Sequence, residues 1–144
     1  MTAPHLIESM FRLMHSFKSR LAAELEAEGL RIAPTHMKIL KMIAAMEECT
    51  AQRIAQTIHR DKAQVNRVVQ ELVAQEMIER KPNPADKRSQ LLLLSDKGDA
   101  ALKSMNAVEN RVLCRMTHGV EMENQKVFIA LAEQLRSNLL SGDE

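Results

Sequence analysis

The polar residues of one 12-residue segment have the side-chain types that read base edges in duplex DNA. Residues 61–72 read DKAQVNRVVQEL, with an apolar stripe on one side of the expected helix and polar groups on the other. A guanidinium can pair with guanine through two parallel hydrogen bonds, an amide can pair with adenine, and an ammonium can reach a phosphate. An ordinary amphipathic helix with a solvated polar face has the same pattern, so both interpretations stay open for this segment alone. The candidate DNA contacts are Lys62, Ala63, Gln64, Asn66, Arg67 and Gln70.

A hairpin with a basic tip is predicted directly after this segment. Two short strand-like runs, 77–81 and 90–94, flank a loop that contains two prolines and ends in Asp86, Lys87 and Arg88. We expect Lys87 and Arg88 to contact DNA, with Arg88 in the minor groove, where the negative potential is deepest. Asp86 either hydrogen-bonds the Arg88 guanidinium and holds it outward or ends a turn, which is a common role for aspartate.

The elements around these residues predict a helix-turn-helix. Thr50 is placed to cap a short helix, and Asp61, with Gln64 three residues later, is placed to cap the next one. A short helix, a tight turn and a capped second helix form the unit whose second helix enters the major groove. Together with the hairpin, the pattern predicts a winged helix.

Amphipathic helices flank this lobe. The periodicity predicts helices over 6–28, 96–116 and 121–140, and a further helix that begins at Pro34 with an apolar stripe of Met37, Leu40, Ile43 and Ala44. The fold class is therefore mainly α, a winged helix-turn-helix with a two-stranded β-wing. We expect one unit, 1–144, with a DNA-binding lobe at 33–95 and dimerisation helices at 1–30 and 96–144.

The composition narrows the classes of function. The chain has 144 residues, a net charge of +1, and neither Trp nor Tyr, which argues against a generic polycation and against a single-strand binder that stacks bases on aromatic side chains. Residues 50–98 hold 9 basic and 6 acidic groups, so the basic surplus lies in the proposed reading segment. No apolar run or leader is long enough to predict a membrane span or a secretory signal, and we expect a cytoplasmic protein.

Neither catalysis nor metal binding is predicted. The sequence has no set of nucleophile, base and orienting group, no phosphate-binding glycine loop and no paired carboxylates, so we expect no enzymatic activity and no cofactor. Its five histidines never occur at i, i+4 and no cysteine stands at ligand spacing, so no metal site is expected. Cys49 and Cys114 are interpreted as structural thiols, Cys114 in a buried stripe.

Five stretches of the sequence together match a known family pattern: Ile54-Ala55, Asp61 to Leu72, Ile78-Glu79-Arg80, Asp86-Lys87-Arg88 and Leu94 to Gly98. On these residues the sequence resembles the MarR family of winged-helix regulators over essentially its whole length. The resemblance implies a DNA-binding regulator, most often a repressor, that acts as a homodimer on a pseudo-palindromic operator. It also implies that the family's Gly after the recognition helix is replaced by Glu76, so this helix either runs further or Glu76 lies in a strained turn.

A ligand site is also implied by the resemblance. Members of the family often bind a small anionic aromatic effector in a crevice between the dimerisation helices and the DNA-binding lobe. We expect Arg12, His15 and His36 near such a crevice. Two alternatives of other classes stay open: a winged-helix module that docks protein or RNA, and a small enzyme with a pocket between its helices.

Overall fold

Six helices and two strands make up the computed structural model, which describes residues 3–141. Their order confirms the mainly helical winged-helix fold, and α5 has the predicted bounds. The outermost residues of the predicted dimerisation segments, 1–2 and 142–144, lie outside the described residues. The elements are α1 (Ala3–Ala27), α2 (Pro34–Ala45), α3 (Ala51–Ile58), α4 (Lys62–Ala74), β1 (Ile78–Pro82), β2 (Gln90–Leu94), α5 (Asp96–Met116) and α6 (Met122–Leu140).

The chain forms two compact units, Met1–Glu109 and Asn110–Glu144. The first unit contains the hydrophobic core, in which the inner faces of α2, α3 and α4 meet the two strands and the first part of α5. The most deeply buried side chains of this core are Ile39, Leu40, Ile54, Val69, Leu72, Met105 and Val108.

The apolar stripe predicted for α2 is only partly correct. Met37, Leu40 and Ile43 are buried as expected, but Ala44 is exposed and Ile39 is completely buried. The difference arises because α2 packs against both β2 and α4, so its buried face is wider than a single stripe.

Caps fix the start of each helix in the helix-turn-helix. The Thr50 hydroxyl accepts the Arg53 backbone N–H at 3.2 Å, and the Asp61 carboxylate accepts the Ala63 backbone N–H at 3.3 Å. His59 adopts the left-handed conformation (φ 52°) that turns the chain from α3 into α4. These contacts confirm the two predicted capping residues and set the direction of α4.

The end of α4 is a left-handed turn centred on Glu76. Glu76 has φ 61°, and the backbone N–H groups of Glu76 and Met77 return to the carbonyls of Val73 and Leu72 at 2.9 Å. This pairing is a Schellman motif, in which glycine is favoured at the left-handed position. The Ser95 hydroxyl donates to the Glu76 carbonyl at 2.5 Å. Of the two expectations for Glu76, the strained turn is therefore correct.

The wing is an antiparallel pair in which Ile78 faces Leu94 and Pro82 faces Gln90. The prediction that Pro82 belongs to the loop is wrong, because this proline is the last residue of β1. Proline lacks the backbone N–H that donates a ladder hydrogen bond. It is tolerated at the end of an edge strand, because no ladder hydrogen bond is lost there.

The second unit exposes most of its apolar side chains. In α6, Met122 to Leu140, no residue is buried, and Phe128 is 59% exposed. Leu113, Met116 and Cys114 of α5 are also exposed, so the prediction of a buried Cys114 is wrong for the single chain. Among the described residues, no helix has the length and hydrophobicity needed to cross a bilayer.

Candidate nucleic-acid interface

Helix α4 has an open groove on each side. The first, here called the wing groove, has a volume of about 470 Å³ and lies between α4, the start of α3 and the hairpin. It brings together five of the nine residues predicted to contact DNA, although they lie on two separate elements. These residues are Lys62, Asn66, Gln70, Lys87 and Arg88.

The wing groove is positively charged. Four cationic side chains line it, Lys62, Arg80, Lys87 and Arg88, and none of its described lining residues is acidic. Within residues 3–141, these four cations have no ion-pair partner. A concave surface lined by one sign of charge concentrates the field and attracts a phosphate backbone.

The lining residues that sequence reasoning missed include Arg80 and Gln52. Arg80 lies opposite Leu92 in the ladder and two residues after the buried Ile78, so strand alternation puts it on the same face as Ile78. That alternation was readable from the sequence. Gln52 carried no comparable signal, because its position depends on how the start of α3 packs beside the hairpin.

The second groove, here called the α2 groove, lies on the other side of α4 and has a volume of about 300 Å³. Gln64 and Arg67 line it together with Glu71, at i, i+3 and i+7 of α4. The predicted reading face is thus divided between two grooves. Ala63 is exposed and is not among the described residues that line either of them.

A histidine and a carboxylate join α2 to α4 in the α2 groove. His36 Nε2 lies 2.7 Å from Glu71 Oε2, and the His36 side chain is only 16% exposed. Arg67 Nε lies 4.0 Å from the other carboxylate oxygen of Glu71. His36 Nδ1 is buried and has no hydrogen-bond partner among the described residues.

The wing tip is held by its own polar groups. The Asp86 carboxylate accepts the backbone N–H of Arg88 at 2.9 Å, and the Asn83 side chain bonds both Ala85 N–H and Ser89 Oγ at 3.0 Å. The expected contact between Asp86 and the Arg88 guanidinium is therefore replaced by a backbone contact. Of the two roles considered for Asp86, the turn-forming one is observed, since a short carboxylate readily bonds the N–H two residues ahead.

The three residues expected at a ligand crevice do not converge. Arg12 is exposed on α1 and pairs with Glu8 at 3.8 Å, His15 is exposed on the same helix, and His36 lies in the α2 groove. Their role in binding a ligand remains a prediction.

A separate cavity of about 300 Å³ lies between α1, α2 and α5 within the first unit. Its wall is largely apolar, with Met14, Phe17 and Leu21 from α1. Three ammonium groups, those of Lys18, Lys38 and Lys41, also line it, and Lys41 is paired with Glu109.

The thiols and potential metal ligands are dispersed. Cys49 is buried and Cys114 is exposed. Burial raises the pKa of the Cys49 thiol, and the nearby Arg53 opposes this rise. In the part of the chain that the structure describes, no three His, Cys, Asp or Glu side chains form a group that could hold a metal ion.

Comparison with known proteins places this geometry in a known fold. The sequence model of the MarR family matches residues 32–90, from the approach to α2 to the first residue of β2. A MarR mutant from E. coli complexed with operator DNA is 21% identical, with 94% of this chain and 99% of that chain aligned and a TM-score of 0.72. A MepR mutant from S. aureus is 18% identical over 96% of this chain and 99% of that chain, with a TM-score of 0.76. The YusO protein from Bacillus subtilis is 18% identical over 95% and 99%, with a TM-score of 0.70.

Proposed function

We propose that the protein is a sequence-specific transcriptional regulator that binds double-stranded DNA, because the sequence model of the MarR family matches its residues 32–90. The observation that carries the proposal is the wing groove, in which Lys62 of α4 and Arg80, Lys87 and Arg88 of the hairpin share one concave surface. The E. coli MarR mutant of the same fold is complexed with operator DNA in its crystal structure. That likeness supports the same ligand class here.

Contacts to bases and contacts to phosphates are divided between residue types. Asn66, Gln70 and Gln64 have amides for adenine edges, and Arg67 has the planar fork that matches guanine. Lys62, Lys87 and Arg80 act as phosphate contacts, and Arg88 at the wing tip enters the minor groove. Ala63 is small enough to let α4 approach a base closely, and Asp86 orders the backbone that carries Arg88.

A homodimer follows from the apolar surface at both ends of the chain. Leu6, Met10 and Phe11 of α1 are exposed in the single chain, as is every large apolar side chain of α6. Large apolar side chains exposed along a whole helix mark a surface that a partner covers, and two-fold pairing with a second copy supplies such a partner. Two recognition helices related in this way lie about 34–36 Å apart and read the two halves of a pseudo-palindrome. Such a complex, placed on a promoter, acts as a repressor.

Ligand response is assigned to the cavity between α1, α2 and α5. Glu109 also lines the cavity and is paired with Lys41, so the ammonium groups of Lys18 and Lys38 are the ones that can face an anion. With the apolar wall, they suit a small aromatic anion, and the methionines can adapt to its shape. Ligand binding changes DNA affinity only if the two conformations of the protein bind the ligand differently. Benzoate should therefore raise the melting temperature, and neutral benzamide of the same shape should not. Replacing both Lys18 and Lys38 by methionine should abolish the difference between them, because the ammonium groups that are not paired with Glu109 are then removed.

Selection from random duplex DNA tests the proposed function. The expected result is an enriched sequence with two inverted half-sites about 10 base pairs apart from centre to centre. Binding to that sequence should weaken steeply with salt, because phosphate contacts release counterions. No enriched sequence, combined with weak binding that is insensitive to salt, would contradict DNA recognition and favour a module that docks protein or RNA.

A further inference from the structure

Glu71 is out of place on a surface that faces DNA. It lines the α2 groove beside Arg67 and Gln64, and a carboxylate there repels phosphate. Its two oxygens have different neighbours: Oε2 lies 2.7 Å from His36 Nε2, and Oε1 lies 4.0 Å from Arg67 Nε. The carboxylate therefore links a side chain of α2 to a cation of the recognition helix.

The two contacts differ in how firmly they are held. The contact of Glu71 with Arg67 is exposed, and exposed pairs of this kind fix a side chain weakly by themselves. His36, in contrast, is mostly buried and joins residues 35 positions apart in the chain. In the tautomer that carries its proton on Nε2, His36 donates this hydrogen bond and the Glu71 carboxylate accepts it. This bond restricts the Glu71 rotamer and so gives the weaker contact a defined direction.

We propose that His36 and Glu71 are positioning residues that set the base preference of Arg67. The ion pair engages the Nε side of the guanidinium and leaves the two terminal nitrogens to face a base. An arginine held in this way loses less side-chain freedom when it forms its bidentate contact with guanine. This inference rests on the proposed function, and it extends the reading surface to α2, outside the helix-turn-helix.

A double-mutant cycle tests the inference on the sequence obtained by selection. Arg67→Ala should lower the preference at one base pair by roughly tenfold, the scale of a bidentate contact. His36→Ala should lower the preference at the same base pair several-fold and have no further effect when Arg67 is already alanine. Glu71→Gln, which keeps the size of the side chain but removes the charge, should also lower this preference without weakening binding to random duplex.

Two controls separate positioning from a general effect on folding. His36→Gln retains an N–H that can reach Glu71, so it should restore the base preference that His36→Ala loses. The matched cycle pairs His36→Ala with Arg88→Ala, whose side chain lies in the wing groove. In that cycle, the double variant should show the product of the two single effects on the base preference. Thermal unfolding of each variant identifies any that are simply unstable.

The outcomes distinguish this inference from the function on which it rests. If the effects of His36→Ala and Arg67→Ala multiply as they do with Arg88→Ala, or if His36→Gln fails to restore the preference, the positioning role is overturned and DNA recognition stands. If Arg67→Ala changes no base preference, Arg67 is not a reading residue and the inference is overturned in the same way. If selection enriches no sequence, both are overturned.

Discussion

The backbone N–H of Leu92 donates a hydrogen bond of 2.8 Å to the carbonyl oxygen of Cys49. Leu92 lies in the middle of β2, and Cys49 lies just before the cap of α3. The bond therefore joins the hairpin to the helix-turn-helix at a point where the side chains of both residues are buried. The two walls of the wing groove are held in register before DNA arrives, so the cations on either side do not need to be brought together on binding.

Replacing Arg88 tests whether the wing takes part in DNA binding. Arg88→Ala should weaken binding to the selected sequence and reduce the slope of log K against log salt by roughly one, because one cation that releases counterions from the DNA on binding is lost. The control is Arg12→Ala, which removes the same charge from exposed α1. Fluorescence anisotropy over a salt series measures both quantities. Equal affinity and slope in the Arg88 variant and the wild type would remove the wing from the mechanism.

Gly98 should tolerate no side chain. A Cβ at this position would lie 1.9 Å from the carbonyl oxygen of Met77, which accepts the Ser95 N–H, so the strand end would have to move. Gly98→Ala should lower the free energy of unfolding by about 3 kcal/mol, at the upper end of overpacking effects. Gly29→Ala provides the comparison, because a Cβ there meets open space and costs only the left-handed backbone, about 1 kcal/mol. Urea titration should rank the two in this order, and a reversed order would contradict the steric argument.

A charge on α6 should separate the homodimer. Phe128→Glu places a carboxylate on the exposed apolar surface of this helix, where a partner would have to bury it unpaired. Light scattering coupled to size exclusion should give the mass of a dimer for the wild type and of a monomer for the variant. Leu93→Glu makes the same kind of change on the exposed face of the wing and should leave the mass unchanged. A wild-type monomer at micromolar concentration would rule out the two-half-site complex.

The two thiols should differ in reactivity in the native protein. Burial raises the pKa of Cys49, so at pH 8 its thiolate fraction is lower than that of an ordinary cysteine, and the sulfur is also shielded. In the Cys114→Ser variant, the remaining thiol should react slowly with a maleimide in buffer and rapidly in urea. The Cys49→Ser variant gives the reaction rate of Cys114 with the maleimide under the same conditions. Rapid native labelling of Cys49 would show that this part of the core opens readily.

Local signals determined how well each element was predicted. The sequence predicts the start of α5 because serine is a common helix cap, and Ser95 does accept the Gly98 N–H. It predicts the end because glycine favours a positive φ, and Gly119 adopts one. The bounds of β1 were displaced by one residue, because a proline at a strand end resembles a loop. The turn at Glu76 could be recognised only as a departure from a family pattern.

The division of the reading surface could not be predicted in the same way. Helical spacing puts Asn66, Arg67 and Gln70 on one side of α4, but the grooves they line depend on what packs beside that helix. The contact between His36 and Glu71 spans 35 residues, and no local pattern indicates it. The lysines of the cavity between α1, α2 and α5 likewise meet only in the tertiary structure.

The absence of any buried side chain in described α6 has a consequence for how the protein responds to its own abundance. If a second copy completes this helix, folding and assembly share one equilibrium, and the apparent stability rises with protein concentration. Well below the dimer dissociation constant, the amount of DNA-binding species grows with the square of the chain concentration. A twofold change in synthesis then alters operator occupancy by up to fourfold, a sharper response than a monomeric regulator with the same contacts would give.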